Sequence, residues 1–430
     1  MAKPQSEPSN ASKTTHLPLV PIPTLSKSRS PALCSSDGSR TPPSANPAAY
    51  DPSLIPSSHE ARTLVLCFDG TGDQLDGHNS NVLQFFSMLK KDDKNQQLVY
   101  YQVVTPFTAK IQKTIDMAFG NHLDAHVMEG YKFLMENYHA EDKICLFGFS
   151  RGAYTARALA GMIHKVGLLP AGNHRQIPFA YKISLVMTTS LDQSTRFKKC
   201  LSIDVEIDFI GVWDTVCSVG LIPRALPFTA NNDAVRYFRH AISLDEHRTK
   251  LGEMPRSNQR HPYYHSGHKR HDNDHKETEE DGSWGTDVLE VWFAGRRRWF
   301  GTECTRNSLA RIPLRWMIRQ CFLAKTGIQF HRDALRPTDD TLIDQVQASP
   351  SAAEEDEELA DALSSTHDQL KINKSWWILE VLPIRHKVQN RRDASWKGHW
   401  KVNMGRPRKI PEPLREKDEK IFVHRSVDIR

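Results

Sequence analysis

The chain has 430 residues, 39% of them hydrophobic and 25% charged, with a mean hydropathy of −0.54. That supports one large core and excludes a fibrous or wholly disordered protein; no run approaches the ~20 apolar residues of a bilayer-spanning helix. Net charge is +6, and it is uneven: Thr366 to Arg430 carries 16 Lys/Arg against 8 Asp/Glu. The acidic run just before it (Glu354, Glu355, Asp356, Glu357, Glu358, Asp361) reads as solvated, self-screening surface. No zinc spacing or aromatic–basic signature accompanies the basic tail, so no nucleic-acid partner is expected; a peripheral membrane contact is what such a tail could offer. Seven cysteines without a C-x-x-C pair fit a reducing compartment. The N-terminus shows no apolar signal-peptide core, which gives an intracellular, cytoplasmic expectation.

Residues 1–60 contain eleven of the 25 prolines and almost no apolar periodicity, so they read as a disordered Pro/Ser-rich tail. From 61 to 323 the texture is that of one α/β domain. Thr63–Phe68 is a continuous apolar run ending in D-G-T-G, a buried strand feeding a tight loop. Leu98–Val104, Ile144–Phe147, Ile207–Trp213 and Val288–Ala294 are further strands. Helices are predicted over His122–Tyr138, where Leu123, Val127, Tyr131, Leu134 and Tyr138 share a face, over Arg151–Lys165, stopping at Gly167, and over Ser308–Phe322 despite Pro313. Strands alternating with helices predict a doubly wound, mostly parallel sheet, with ligands beyond the carboxyl ends of the strands.

Residues 256–281 form a polar insert. Its histidines (His261, His265, His268, His271, His275) could line one helical face with Asp272 and Asp274 nearby, but Pro262, Gly267 and the lack of apolar anchors favour a solvated loop; no metal or cofactor is expected. Residues 324–370 read as linker with the acidic run, and 371–430 as a basic extension packing on or trailing the domain. Within it Trp376–Pro383 is the last apolar segment, expected to pack back.

The chemistry signal is Gly148-Phe149-Ser150-Arg151-Gly152, a G-x-S-x-G after a strand and before a helix. Such a turn strains the serine, exposes its Oγ and aims a helix N-terminus at it: a nucleophile elbow. The Arg151 N–H and the Gly70–Thr71 loop would then form the oxyanion hole. In this fold the acid follows the serine and the histidine follows the acid. Asp214, directly after a strand, fits the acid position, and Asp208 is weaker. Asp69-Gly70-Thr71 also has the look of an aspartyl-phosphate phosphatase motif, but Cys67 occupies the nucleophile position of that motif.

Phe68–Gly72 (F-D-G-T-G), Asn81-Val82, Gly148–Ala153 (G-F-S-R-G-A), Gly211–Val216 (G-V-W-D-T-V), Arg239–Glu246 (R-H-A-I-S-L-D-E) and Val291–Gly295 (V-W-F-A-G) together resemble one family. It is the uncharacterised α/β-hydrolase domain of type VI secretion phospholipase effectors, widespread in fungi. The resemblance covers about Arg62–Phe322. More loosely, Trp376–Trp377, Gly405-Arg406-Pro407-Arg408-Lys409 and His424-Arg425-Ser426 are similar to fungal members. It implies an α/β-hydrolase fold and hydrolysis of carboxylic esters of small molecules or lipids, phospholipids included, with Ser150 as nucleophile and Asp214 as acid.

One departure stands out. The family's histidine follows V-W-F-x-G, whereas here Gly295 leads into Arg296-Arg297-Arg298-Trp299-Phe300-Gly301-Thr302-Glu303, and no histidine occurs between His275 and His331. Serine without imidazole is a poor nucleophile, and arginine cannot act as base. His240 and His247 are the surrogates between Asp214 and the next strand, usable only if their segment folds over the sheet edge; a place on a helix surface or at the core edge is the plainer reading of both. An exon-junction error near Gly295 would account for the departure, since codons for Trp-Phe-Gly-Thr-Glu can read Gly-Ser-Val-Leu one frame over. The alternative to an active hydrolase is a catalytically silent binding or scaffold protein on the same fold.

Overall fold

The computed structural model describes residues 15–16, 54–55, 61–70, 80–103, 121–185, 191–215, 235–247, 286–295, 309–335, 358–364, 377, 381, 384–389, 396–402, 404–406, 408 and 421–430. Nearly all of the Pro/Ser tail, the whole His-rich insert, Thr71 and the segment 296–308 lie outside these residues.

Seven strands make one parallel sheet: β1 (Thr63–Asp69), β2 (Gln97–Val103), β3 (Lys143–Phe149), β4 (Ile207–Trp213), β5 (Val235–Ser243), β6 (Asp287–Phe293) and β7 (Phe422–Val423). Their order across the sheet is β2-β1-β3-β4-β5-β6-β7, with Thr15–His16 added in parallel outside β7. The helices are α1 (Asn81–Met88), α2 (Asn121–Asn137), α3 (Arg151–Val166), α4 (Ile177–Leu185), α5 (Leu191–Leu201) and α6 (Arg311–Leu323).

The continuous apolar runs of the inner strands follow from burial on both faces. On one face Leu64, Leu66, Ile144 and Leu146 meet α2 to α5. On the other, Val65, Cys67, Phe147 and Trp213 meet α1 and α6. Phe147 anchors that second layer, with its ring centroid 4.3 Å from Phe85 and 5.5 Å from Phe209. Burial pushes the Cys67 and Cys145 thiols well above their usual range, as suits small apolar residues. Among the described residues no helix is long and apolar enough to cross a membrane.

Three expectations are revised. His240, read as lying on a helix surface or at the core edge, stands on an interior strand, Val235–Ser243, paired with β4 and β6. Arg239 and His240 on it are buried with partners: the Arg239 guanidinium reaches Asp287 at 2.8 Å and Gln320 at 2.9 Å. The last helix starts at Arg311 rather than Ser308, which puts Pro313 in its first turn, where no N–H is needed. Of the Trp376–Pro383 stretch only Trp377 and Val381 are among the described residues, and both are exposed. Part of the acidic run is not solvated either: residues 358–362 are helical, and Asp361 is fully buried with Arg315 at 2.7 Å and Arg311 at 3.7 Å.

The chain end closes this corner. The His424 N–H donates to the Trp292 carbonyl at 2.8 Å, and its ring stacks on Phe293 at 4.8 Å. Its Nδ1 accepts the Ser426 N–H at 3.2 Å and its Nε2 faces Glu358 at 3.2 Å, so the two partners place the ring proton on Nε2. Burial drives the His424 pKa down to about 4, against the upward pull of Glu358.

The tightest packing lies where α3 crosses β1 and β3. A Cβ on Gly152 would fall 2.0 Å from the Phe68 carbonyl oxygen, and one on Gly148 would fall 2.6 Å from the Ala153 Cα. Gly152→Ala should therefore cost at least ~3 kcal/mol in urea unfolding; a loss below ~1 kcal/mol would show that helix and strand can separate freely. His424 supplies a pH test. Between its folded value of about 4 and the ordinary histidine value of 6.5, the unfolded chain binds the extra proton, so stability falls as pH drops through that window. Relative to His424→Gln, the wild-type chain should lose about 2 kcal/mol more between pH 7 and pH 4.5; parallel urea-midpoint curves would contradict this.

Candidate functional site

The strand order reverses at β1: chain connections run to β2 on one side and β3 on the other, so the carboxyl ends of β1 and β3 flank a topological switch point. Gly70 and Ser150 stand there. β3 ends at Phe149 and α3 begins at Arg151, leaving Ser150 alone to reverse the chain, with φ 63° and ψ −119°. This is a strained conformation for a residue with a Cβ. A Cβ on Gly70 would lie 2.9 Å from Phe149 Cδ1 and 3.3 Å from Ser150 Cβ, so the β1 loop passes directly beside the serine.

Asp214 sits on the neighbouring strand end. The Ser150 N–H donates to the Trp213 carbonyl at 3.1 Å, and the Asp214 N–H donates to Ala241 at 2.8 Å. The ladder β3–β4–β5 thus continues one residue past the strands and sets Ser150 beside the peptide leading to Asp214. Among the described residues five non-glycines have positive φ, and two of them are Ser150 and Asp214 (φ 44°), which concentrates backbone strain at this point. The Asp214 carboxylate is buried. Its Oδ1 accepts the Ser243 N–H at 3.3 Å and an Arg408 Nη1 hydrogen, and its Oδ2 lies 3.3 Å from Arg408 Nη2. Asp208 is near the amino end of β4, 3.3 Å from Arg236, and does not join Ser150.

The other expected residues divide. Burial lowers the Arg151 guanidinium pKa to about 10, which still leaves it charged at neutral pH, and its backbone opens α3 next to Ser150. The Gly70 N–H donates to Asp69 Oδ1 at 2.6 Å. Asp69 is itself buried and also accepts from Tyr101 at 2.7 Å and from the Ser80 hydroxyl; burial raises its pKa while these donors lower it. His240 is held at both ring nitrogens: Nε2 accepts the Thr215 N–H at 3.2 Å, and Nδ1 lies 3.0 Å from Glu290 Oε1. His247 follows the last residue of β5, Ser243, by four positions, on the carboxyl side of the sheet.

Sequence reasoning did not anticipate Arg408 or the Ser80–Tyr101 pair on Asp69. The only signal for Arg408 was the short basic motif Gly405–Lys409. Among the described residues no group of three or more His, Cys, Asp or Glu is arranged to hold a metal ion.

An uncharacterized protein of Saccharomyces cerevisiae, YEL023C, is 35% identical over 240 residues, covering 49% of this chain and 35% of the yeast protein. The chain thus spans about a third of that relative's length. A solved structure of an uncharacterized protein from Pseudomonas aeruginosa matches 71% of this chain and 53% of its own at 16% identity, with a TM-score of 0.36. The model of the family described as type VI secretion phospholipase effector Tle1-like, catalytic domain, matches residues 62–320, the span that holds β1 to β6, Ser150 and Asp214. This chain belongs to that Tle1-like phospholipase-effector catalytic-domain family.

Proposed function

We propose that the protein hydrolyses carboxylic esters of lipids, phospholipids foremost, through an acyl-enzyme on Ser150. The observation that carries this reading is the strained Ser150 turn at the switch point, with glycines at 148, 152 and 70 clearing the space around it. A side chain held in that conformation between a strand and a helix presents its Oγ above the sheet. The family's name supplies the substrate class.

In this mechanism Ser150 Oγ attacks the ester carbonyl carbon and its proton passes to an imidazole. The negative oxygen of the tetrahedral intermediate is met by the Arg151 N–H at the start of α3. A second donor comes from the Gly70–Thr71 loop. Because the Gly70 N–H is already engaged by Asp69, we assign that donor to Thr71, with Asp69 fixing the loop. The imidazolium returns its proton to the departing alcohol, and water then attacks the acyl-enzyme with the same base. His240, engaged by Thr215 and Glu290, steadies the turn after Asp214. His247, leaving β5 on the carboxyl side, is assigned as the base, and Asp214 as its acid. The basic tail would favour an anionic membrane surface.

A second reading, a silent binding protein on the same fold, is favoured by the histidine-free stretch between His275 and His331 and by the double engagement of His240. Turnover of p-nitrophenyl butyrate and of phosphatidylcholine vesicles by the full chain separates the two. Ser150→Ala and Asp214→Asn should each lower kcat by about three to four orders of magnitude. Turnover indifferent to Ser150→Ala would overturn the first reading, and a folded chain with no turnover would favour the second.

A further inference from the structure

We propose that Arg408 is the positioning residue of Asp214, so that the C-terminal extension completes the site in cis. The inference rests on the role given to Asp214 above. Arg408 lies beyond residue 320, where the family match ends, and 194 positions from Asp214 along the chain. Three contacts aim it. Its backbone N–H donates to the Glu246 carbonyl at 3.1 Å, just past β5. Its Nη1 donates to the Ser243 carbonyl at 3.1 Å and lies 3.3 Å from Ser243 Oγ. Its two terminal nitrogens then straddle the Asp214 carboxylate. Met404 and Gly405, with φ of 56° and 66°, form a left-handed turn shortly before it.

Such an acid must hold one orientation, because its carboxylate sets the tautomer and direction of the imidazole. Asp214 Oδ1 is fixed by two donors from different segments, the Ser243 N–H and Arg408, so rotation about its last torsion is restrained. A guanidinium is well shaped for such a contact, since its planar fork meets both carboxylate oxygens while a third hydrogen bond ties it to β5. Its charge also compensates a carboxylate that is 1% exposed, which would otherwise be costly to keep ionised.

The test measures p-nitrophenyl butyrate turnover by full-length Arg408→Gln and Arg408→Lys, with thermal melts as a check on folding. Arg408→Gln should lower kcat at least tenfold with KM within twofold, and Arg408→Lys, which keeps the charge but not the fork, should recover part of the loss. The Asp214→Asn/Arg408→Gln double variant should be no slower than Asp214→Asn alone. Should Arg408→Gln fail to fold, Arg408→Lys decides: kcat equal to wild type overturns the proposal. An unchanged kcat in folded Arg408→Gln overturns it as well, and a raised kcat would make Arg408 a plug instead. Wild-type chain without Ser150-dependent turnover takes down the functional reading and this inference together, whereas normal turnover indifferent to Arg408 removes only the inference.

Discussion

The structure depends on the contact of α3 with β1 and β3, where backbone meets backbone with no side chain between them. The Phe68 carbonyl occupies the space a Cβ would need on Gly152, and Ala153 occupies the corresponding space at Gly148. Helix and strand can approach this closely only if the chain reverses within one residue, and Ser150 is that residue. Its positive φ is held in place by the dense core around Phe147 and Trp213 below it and by the ladder bond to Trp213. Strain of this kind persists only where surrounding packing over-determines it.

Charge compensation gives the second layer of organisation. At the carboxyl edge of the sheet and at its β6–β7 corner, buried acidic groups meet cations or hydrogen-bond donors from distant parts of the chain. Asp214 meets Arg408, Asp361 meets Arg311 and Arg315, and Glu358 meets Arg425 and His424. Two of these cationic partners, Arg408 and Arg425, come from the C-terminal extension. The basic excess of the chain's last 65 residues is therefore partly structural: some of its arginines neutralise carboxylates inside the domain.

Much of the fold was legible in the sequence because the inner strands are apolar on both faces. Thr63–Asp69, Lys143–Phe149 and Ile207–Trp213 announce themselves as continuous runs. β5 did not, because Arg236, Arg239 and His240 interrupt its apolar pattern; the burial of Arg239 and His240 makes sense only once Asp287 and Glu290 are beside them, while Arg236 stays exposed next to Asp208. The serine turn was legible from its local glycines. The Arg408 contact was not, since no local pattern links residues 194 positions apart. Likewise Glu358 and Asp361 read as surface until the arginines that surround them are placed in space.

Everything proposed for the site requires that the strained turn make Ser150 a nucleophile rather than a packed serine. Treating the full chain with a fluorophosphonate and mapping the adduct by peptide mass spectrometry decides between the two. A nucleophilic Ser150 predicts a single phosphonylated residue, Ser150 itself, within the Ile144–Arg157 region. A folded chain with Ser150 unmodified, or with the adduct carried by another residue, would contradict it.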